Sequence, residues 1–94
     1  MTWHLVVKPK IETFLRSLSP ETKRYIRASF EEIRKDPWIG KPLRDELAGL
    51  YSFRAKRFRI VYKIERQIIT VVVIGIGPRK TIYEELITEI HPKR

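Results

Sequence analysis

Between Tyr51 and Tyr83 the chain reads YSFRAKRFRIVYKIERQIITVVVIGIGPRKTIY, and this stretch leaves few folds open. Side chains of a strand alternate between its two faces. In the first segment Tyr51, Phe53 and Ala55 therefore share one face, and Ser52, Arg54 and Lys56 share the other. In the next, Phe58, Ile60, Tyr62 and Ile64 point one way, and Arg57, Arg59, Val61 and Lys63 the opposite way. Each segment thus has a core face and a cationic face. Glu65-Arg66-Gln67 is short enough to close a hairpin onto a third strand, Ile68–Ile76, whose apolar run suits a central strand covered on both sides. Gly75 and Gly77 are expected to loosen its end, and Pro78 to block further pairing.

Such a sheet needs helices to cover it, and the first half of the chain supplies them. Thr2–Val7 reads as a strand ended by Pro9. Ile11, Phe14, Leu15 and Leu18 fall at i, i+3, i+4 and i+7, the stripe of a short helix. Ser19-Pro20-Glu21 restarts a helix with an N-cap, a first-position proline and an acid in the first turn. Its apolar positions are Tyr25, Ile26, Phe30 and Ile33, and it should stop before Pro37. Trp38, in the turn-rich Asp36–Pro42 connection, is expected to plug the core edge. Ile82, Leu86 and Ile90 predict a C-terminal helix, with 91–94 as a frayed tail. The expected fold is α+β: a small, mostly antiparallel sheet with an N-terminal helical hairpin packed on one face and a C-terminal helix, in the order β-α-α-β-β-β-α.

A chain of 94 residues is expected to form one domain, 1–94. There is no cysteine, so neither a disulfide framework nor a thiolate metal site is available, which fits a reducing cytoplasm. The N-terminus lacks a signal-peptide layout, and no apolar run is long enough to span a bilayer, so a cytoplasmic protein is expected. The net charge of +9 points to a polyanionic partner. The excess is local: residues 54–66 hold six Lys/Arg against Glu65 alone, whereas the first fifty residues hold ten against seven acids.

No His/Asp/Glu cluster has ligand spacing, and Gly75-Ile76-Gly77-Pro78 is not a dinucleotide fingerprint, so neither metal nor cofactor is expected. The residues left for chemistry are Arg54, Lys56, Arg57, Arg59, Arg79, Lys80 and Tyr83. Cleavage of a phosphodiester by an RNA 2′-hydroxyl needs a base, cations for the charge growing on phosphorus, and a donor for the departing 5′-oxygen. Arginine suits the second task because its planar fork matches phosphate oxygens and stays charged. A phenol flanked by cations becomes a candidate base. The same residues also fit a plainer reading. Strand arginines can be a solvated face, Tyr83 can pack beside Ile82, and Pro78-Arg79 can simply start a helix.

Three segments together resemble the RelE family within the RelE/ParE toxin superfamily: Lys41–Tyr51 (KPLRDELAGLY), Arg54–Ile64 (RAKRFRIVYKI) and Gly75–Tyr83 (GIGPRKTIY). The resemblance implies a toxin of a type II toxin–antitoxin system. It would be a metal-independent endoribonuclease that cuts mRNA in the ribosomal A site, leaving a 2′,3′-cyclic phosphate and a 5′-hydroxyl. By position, Arg59 and Arg79 would contact the scissile phosphate, and Tyr83 would act as base or stack on the substrate. Arg54, with Lys56, Arg57 and Lys80, would bind RNA. The implied partners are the ribosome with its mRNA and a cognate antitoxin, acidic and helical on binding; no membrane is involved.

The chain departs from the family pattern at several positions. A Lys-x-Lys pair expected on the strand before Arg59 is absent, with Tyr51 and Ser52 nearby; Lys56 replaces a turn glycine and Pro78 a histidine. His91 lies near the end, where some relatives carry a histidine. Two alternatives stay open: a ParE-like inhibitor of DNA gyrase, and a catalytically inactive relative that only binds RNA or antitoxin.

Overall fold

A computed structural model of the chain describes residues 2–78 and 80–92. The strand β1 (His4–Val7) leads into helices α1 (Pro9–Arg16) and α2 (Pro20–Lys35). The two-residue strand β2 (Lys41–Pro42), then β3 (Leu50–Ala55), β4 (Phe58–Glu65) and β5 (Thr70–Pro78) complete the sheet, and helix α3 (Thr81–Ile90) follows. The sheet order is β1-β5-β4-β3-β2. The expected α+β fold is present, and the two-residue β2 adds one strand to the expected order. The sheet is mixed, because β1 pairs parallel with β5 while the other three pairings are antiparallel.

The helical hairpin forms where local chemistry specifies it. Ser19 accepts a hydrogen bond from the Thr22 amide (3.2 Å) and Pro20 occupies the first position of α2, a cap worth about 1 kcal/mol. Past Lys35, Pro37 lacks the amide a further turn needs, and the Asp36 carboxylate accepts from the Trp38 amide instead. Ile11 and Leu15 of α1 and Ile26, Phe30 and Ile33 of α2 pack on Phe58, Ile60, Tyr62, Val71 and Val73. Burying each large aliphatic side chain contributes roughly 1.5–3 kcal/mol.

The opposite face has its own cluster, Leu47, Val61, Ile82 and Leu86, so α3 packs across the sheet from the hairpin. Val61, expected on a cationic face, is fully buried there. A register irregularity makes this possible. Val61 pairs with Gly75 and Tyr62 with Val73, which leaves Ile74 as the extra residue of a bulge. Val71 and Val73 face the hairpin before the bulge, and Gly75 and Gly77 face α3 after it. A Cβ on Gly75 would lie 3.0 Å from Leu86 Cδ1, and one on Gly77 3.1 Å from Ile82 Cβ. The glycines therefore let the helix approach; they do not loosen the strand, which stays paired through Pro78.

Other expectations shift for equally local reasons. β5 starts at Thr70, because Arg66–Ile68 forms a single 3-10 turn and Ile69 closes it in the left-handed region (φ 49°). Ile68 and Ile69 are accordingly 64% and 40% exposed. Trp38 does not plug the core: it is 46% exposed and meets Trp3 edge to face at 5.3 Å, while Pro37 and Gly40 are the buried residues of that connection. His91 is tied rather than frayed, its amide bonded to the Ile87 carbonyl and its ring Nε2 3.2 Å from the Glu46 carbonyl oxygen. Lys93 and Arg94 lie outside the described residues.

Candidate nucleic-acid site

The β3–β4 hairpin turns through Lys56 and Arg57, and its register sets Arg54 directly opposite Arg59. Like charges facing each other across a strand pair are unfavourable. Among the described residues, no carboxylate forms a salt bridge with either one. The Arg54 Nε donates to the Lys56 carbonyl (3.1 Å), which directs its guanidinium along the sheet surface. On the same face Ser52 is buried, and its Oγ lies 2.8 Å from the Tyr83 hydroxyl.

Tyr83 arrives from the first turn of α3, where Lys80 is the N-cap and its carbonyl accepts from the Tyr83 amide (2.9 Å). Gly77 pairs with Arg59, so the helix begins next to the paired arginines. Its N-terminal dipole adds positive potential there. The result is an open hollow of about 370 Å³ lined by Lys41, Leu43, Ser52, Arg54, Arg59, Lys80 and Tyr83. A second hollow of about 580 Å³ shares Arg54, Arg59 and Lys80 and adds Arg57, Thr81 and Glu84. Fixed cations around a half-buried phenol suit a phosphodiester, since preorganised donors stabilise developing charge without reorganising.

Of the residues expected at a site, Arg54, Arg59, Lys80 and Tyr83 line one hollow and Arg57 borders its neighbour. Lys56 stands elsewhere. Its backbone turns to φ 56°, and its Nζ sits 4.8 Å from the centre of the Tyr25 ring on α2, against the helical hairpin. Arg79 lies outside the described residues. Three residues lining the hollow around Tyr83, Lys41, Leu43 and Ser52, were not among the expected set. Ser52 was visible as the residue alternating with Arg54, whereas Lys41 sits on a strand too short to show a period.

Tyr62, in the core on the helical-hairpin face, anchors the connection that leads into Lys41. It is fully buried, donates to the Pro37 carbonyl (2.6 Å) and accepts from the Gly40 amide (3.1 Å). Burial pushes its phenol up to about 12. Among the described residues there is no group of three His, Cys, Asp or Glu that could hold a metal ion, and no helix long and apolar enough to cross a membrane.

Residues 7–83 match the family model for the ParE toxin of type II toxin–antitoxin systems, parDE. A curated relative, Toxin RelG of Mycobacterium tuberculosis, is 37% identical over 59 residues, which cover 62% of this chain and 68% of the relative. Among solved structures, the toxin–antitoxin complex RelBE2 from Mycobacterium tuberculosis aligns with a TM-score of 0.76 at 28% identity, covering 84% of this chain and all of the matched one. A free RelE toxin mutant from E. coli also reaches 0.76, at 22% identity, over 96% of this chain and 99% of its own, a likeness of fold.

Proposed function

Because this chain belongs to the ParE toxin family of type II toxin–antitoxin systems, we propose that it stops translation in the cytoplasm as a ribosome-dependent mRNA endonuclease. The observation that carries this reading is the Tyr83 hydroxyl, bonded to Ser52 in a hollow whose cations are Lys41, Arg54, Arg59 and Lys80. In the proposed reaction the RNA 2′-oxygen forms a bond to phosphorus as the bond to the 5′-oxygen breaks. The 2′-proton leaves to Tyr83 acting as base, or to solvent water where Tyr83 stacks on the neighbouring base, and solvent water protonates the departing 5′-oxygen. Arg59, with Arg79, neutralises the charge on the phosphoryl oxygens, and Arg54, Arg57 and Lys80 hold the backbone. The products are a 2′,3′-cyclic phosphate and a 5′-hydroxyl, so neither a metal nor an attacking water is needed. The ribosome would supply the orientation of the strand, a contribution that can outweigh any single side chain.

The cognate antitoxin would be acidic and fold on binding as an amphipathic helix. Charge complementarity with a +9 chain favours rapid association. The RelBE2 match, itself a toxin–antitoxin complex, supports such a partner.

A second reading, inhibition of DNA gyrase, is favoured by the ParE description of the matching family. Primer extension on a defined mRNA in a purified translation system, with and without ribosomes, separates the two when run beside a gyrase supercoiling assay. Ribosome-dependent cuts that vanish in Arg79→Ala support the nuclease. Intact mRNA with blocked supercoiling transfers the function to gyrase, and neither effect leaves a binding relative without activity.

A further inference from the structure

The hollow around Tyr83 has a cation on a wall where the sequence pattern led us to expect none. Ser52 is neutral, and its hydroxyl is committed to Tyr83. Directly across the β2–β3 pairing from Ser52 stands Lys41, which is exposed and lines the same hollow. We infer that Lys41 is a further substrate-binding residue, holding an RNA phosphate next to the one being cleaved.

Three observations support the assignment, which rests on the RNA-cleaving reading above. First, the backbone of Lys41 is fixed on both sides. Pro42 pairs with Tyr51, and the Leu43 amide donates to the Leu50 carbonyl (2.9 Å). Before it, the Gly40 amide is bonded to the buried Tyr62 hydroxyl, so closely that a Cβ at Gly40 would fall 2.3 Å from that oxygen. A cation on so constrained a strand loses little further backbone freedom when it binds. Second, among the described residues no carboxylate forms a salt bridge with Lys41, so its charge is available to a ligand. Third, the cations are spread over three adjoining hollows. Arg54, Arg59 and Lys80 also line the neighbouring hollow with Arg57, whereas Lys41 also lines a different one, of about 710 Å³, with Arg44. A compact anion would need charges around one point. Charges strung along an open surface match a backbone that carries one phosphate per nucleotide, so the ligand is a strand several nucleotides long.

The test is fluorescence anisotropy of the full-length toxin, freed from its antitoxin, with a labelled 2′-O-methyl RNA hexanucleotide that cannot be cleaved, across a salt series. Removing one phosphate contact lowers the slope of log K against log salt by about 0.7 on a single strand. Lys41→Ala should show that drop, with affinity reduced severalfold, and Lys41→Arg should restore it. A dinucleotide, too short to reach Lys41, should bind both proteins alike. An unchanged slope for Lys41→Ala on the hexanucleotide, with wild-type binding intact, would overturn the Lys41 assignment and leave the nuclease reading standing. So would failure of Lys41→Arg to rescue. A wild-type protein that cuts mRNA on ribosomes yet ignores the hexanucleotide would also overturn it, since the contact would then belong to ribosomal RNA. Absence of both binding and cleavage would overturn the nuclease reading itself.

Discussion

The hydroxyls of Ser52 and Tyr83, thirty-one positions apart, lie 2.8 Å from each other and join the middle of β3 to the first turn of α3. One bond therefore ties the helix that delivers the phenol to the strand that delivers Arg54. This link separates a role in folding from a role in chemistry at Tyr83.

Tyr83→Phe keeps the ring and removes only the hydroxyl. A hydrogen bond of this kind is worth about 1 kcal/mol, so denaturant titration should show a loss near that figure. Loss of a proton-transfer group costs about 10²-fold or more in rate, and cleavage on programmed ribosomes should fall by at least that much. Ser52→Ala should match the stability loss while reducing the rate far less. If instead the two variants lose activity equally, the phenol acts through its position alone.

Lys56 occupies a positive-φ turn position that suits glycine (φ 56°). A side chain in the left-handed region costs roughly 1–2 kcal/mol, and the contact with the Tyr25 ring returns about 0.5–1 kcal/mol. Lys56→Gly should then raise the unfolding free energy by up to about 1 kcal/mol, read as a higher denaturation midpoint.

The buried Tyr62 predicts an alkaline limit. Its folded pKa, about 12, lies above the unfolded value of 10.0. Between those two the unfolded chain has released the proton and the native one has not, so stability falls as pH rises. The contribution is complete below about pH 10 and is lost towards pH 12, for a total of roughly 3 kcal/mol. Tyr62→Phe should abolish that part of the alkaline slope. At neutral pH it should cost about 1–3 kcal/mol, because the Pro37 carbonyl and Gly40 amide lose their partner. Identical alkaline slopes in the two proteins would contradict this.

Gly75 and Gly77 both face α3, but their neighbours differ. The atoms nearest a Cβ at Gly75 are the terminal methyls of Leu86, which can swing aside, whereas at Gly77 the nearest is Ile82 Cβ, fixed to its backbone. Gly77→Ala should therefore destabilise by about 1–3 kcal/mol and Gly75→Ala by less. The reverse order in thermal unfolding would show that α3 packs differently.

Much of this fold was legible because short-range rules specify it. Ser19-Pro20 capped α2, period two gave β3 and β4, and Ile82 and Leu86 gave α3. What escaped depends on distant partners. The parallel seat of β1 beside β5 pairs residues some sixty-six positions apart, such as His4 with Thr70. The bulge at Ile74 reverses the faces of β5, so the glycines read as weak points were in fact clearance for a helix. At the site, alternation placed Arg54 and Arg59 together, but Lys56 left the pattern when its backbone turned. Lys41 had no pattern to betray it, since a two-residue strand has no period.

The central claim is that mRNA is cut where Arg59 and Tyr83 meet. It is tested most directly by single-turnover cleavage on ribosomes programmed with a defined codon, comparing the wild type with Arg59→Ala under saturating toxin. Loss of one preorganised donor costs about 10²–10³ in rate, so the account predicts a drop of that size with the cut position unchanged. An Arg59→Ala protein that cuts at the wild-type rate would contradict it.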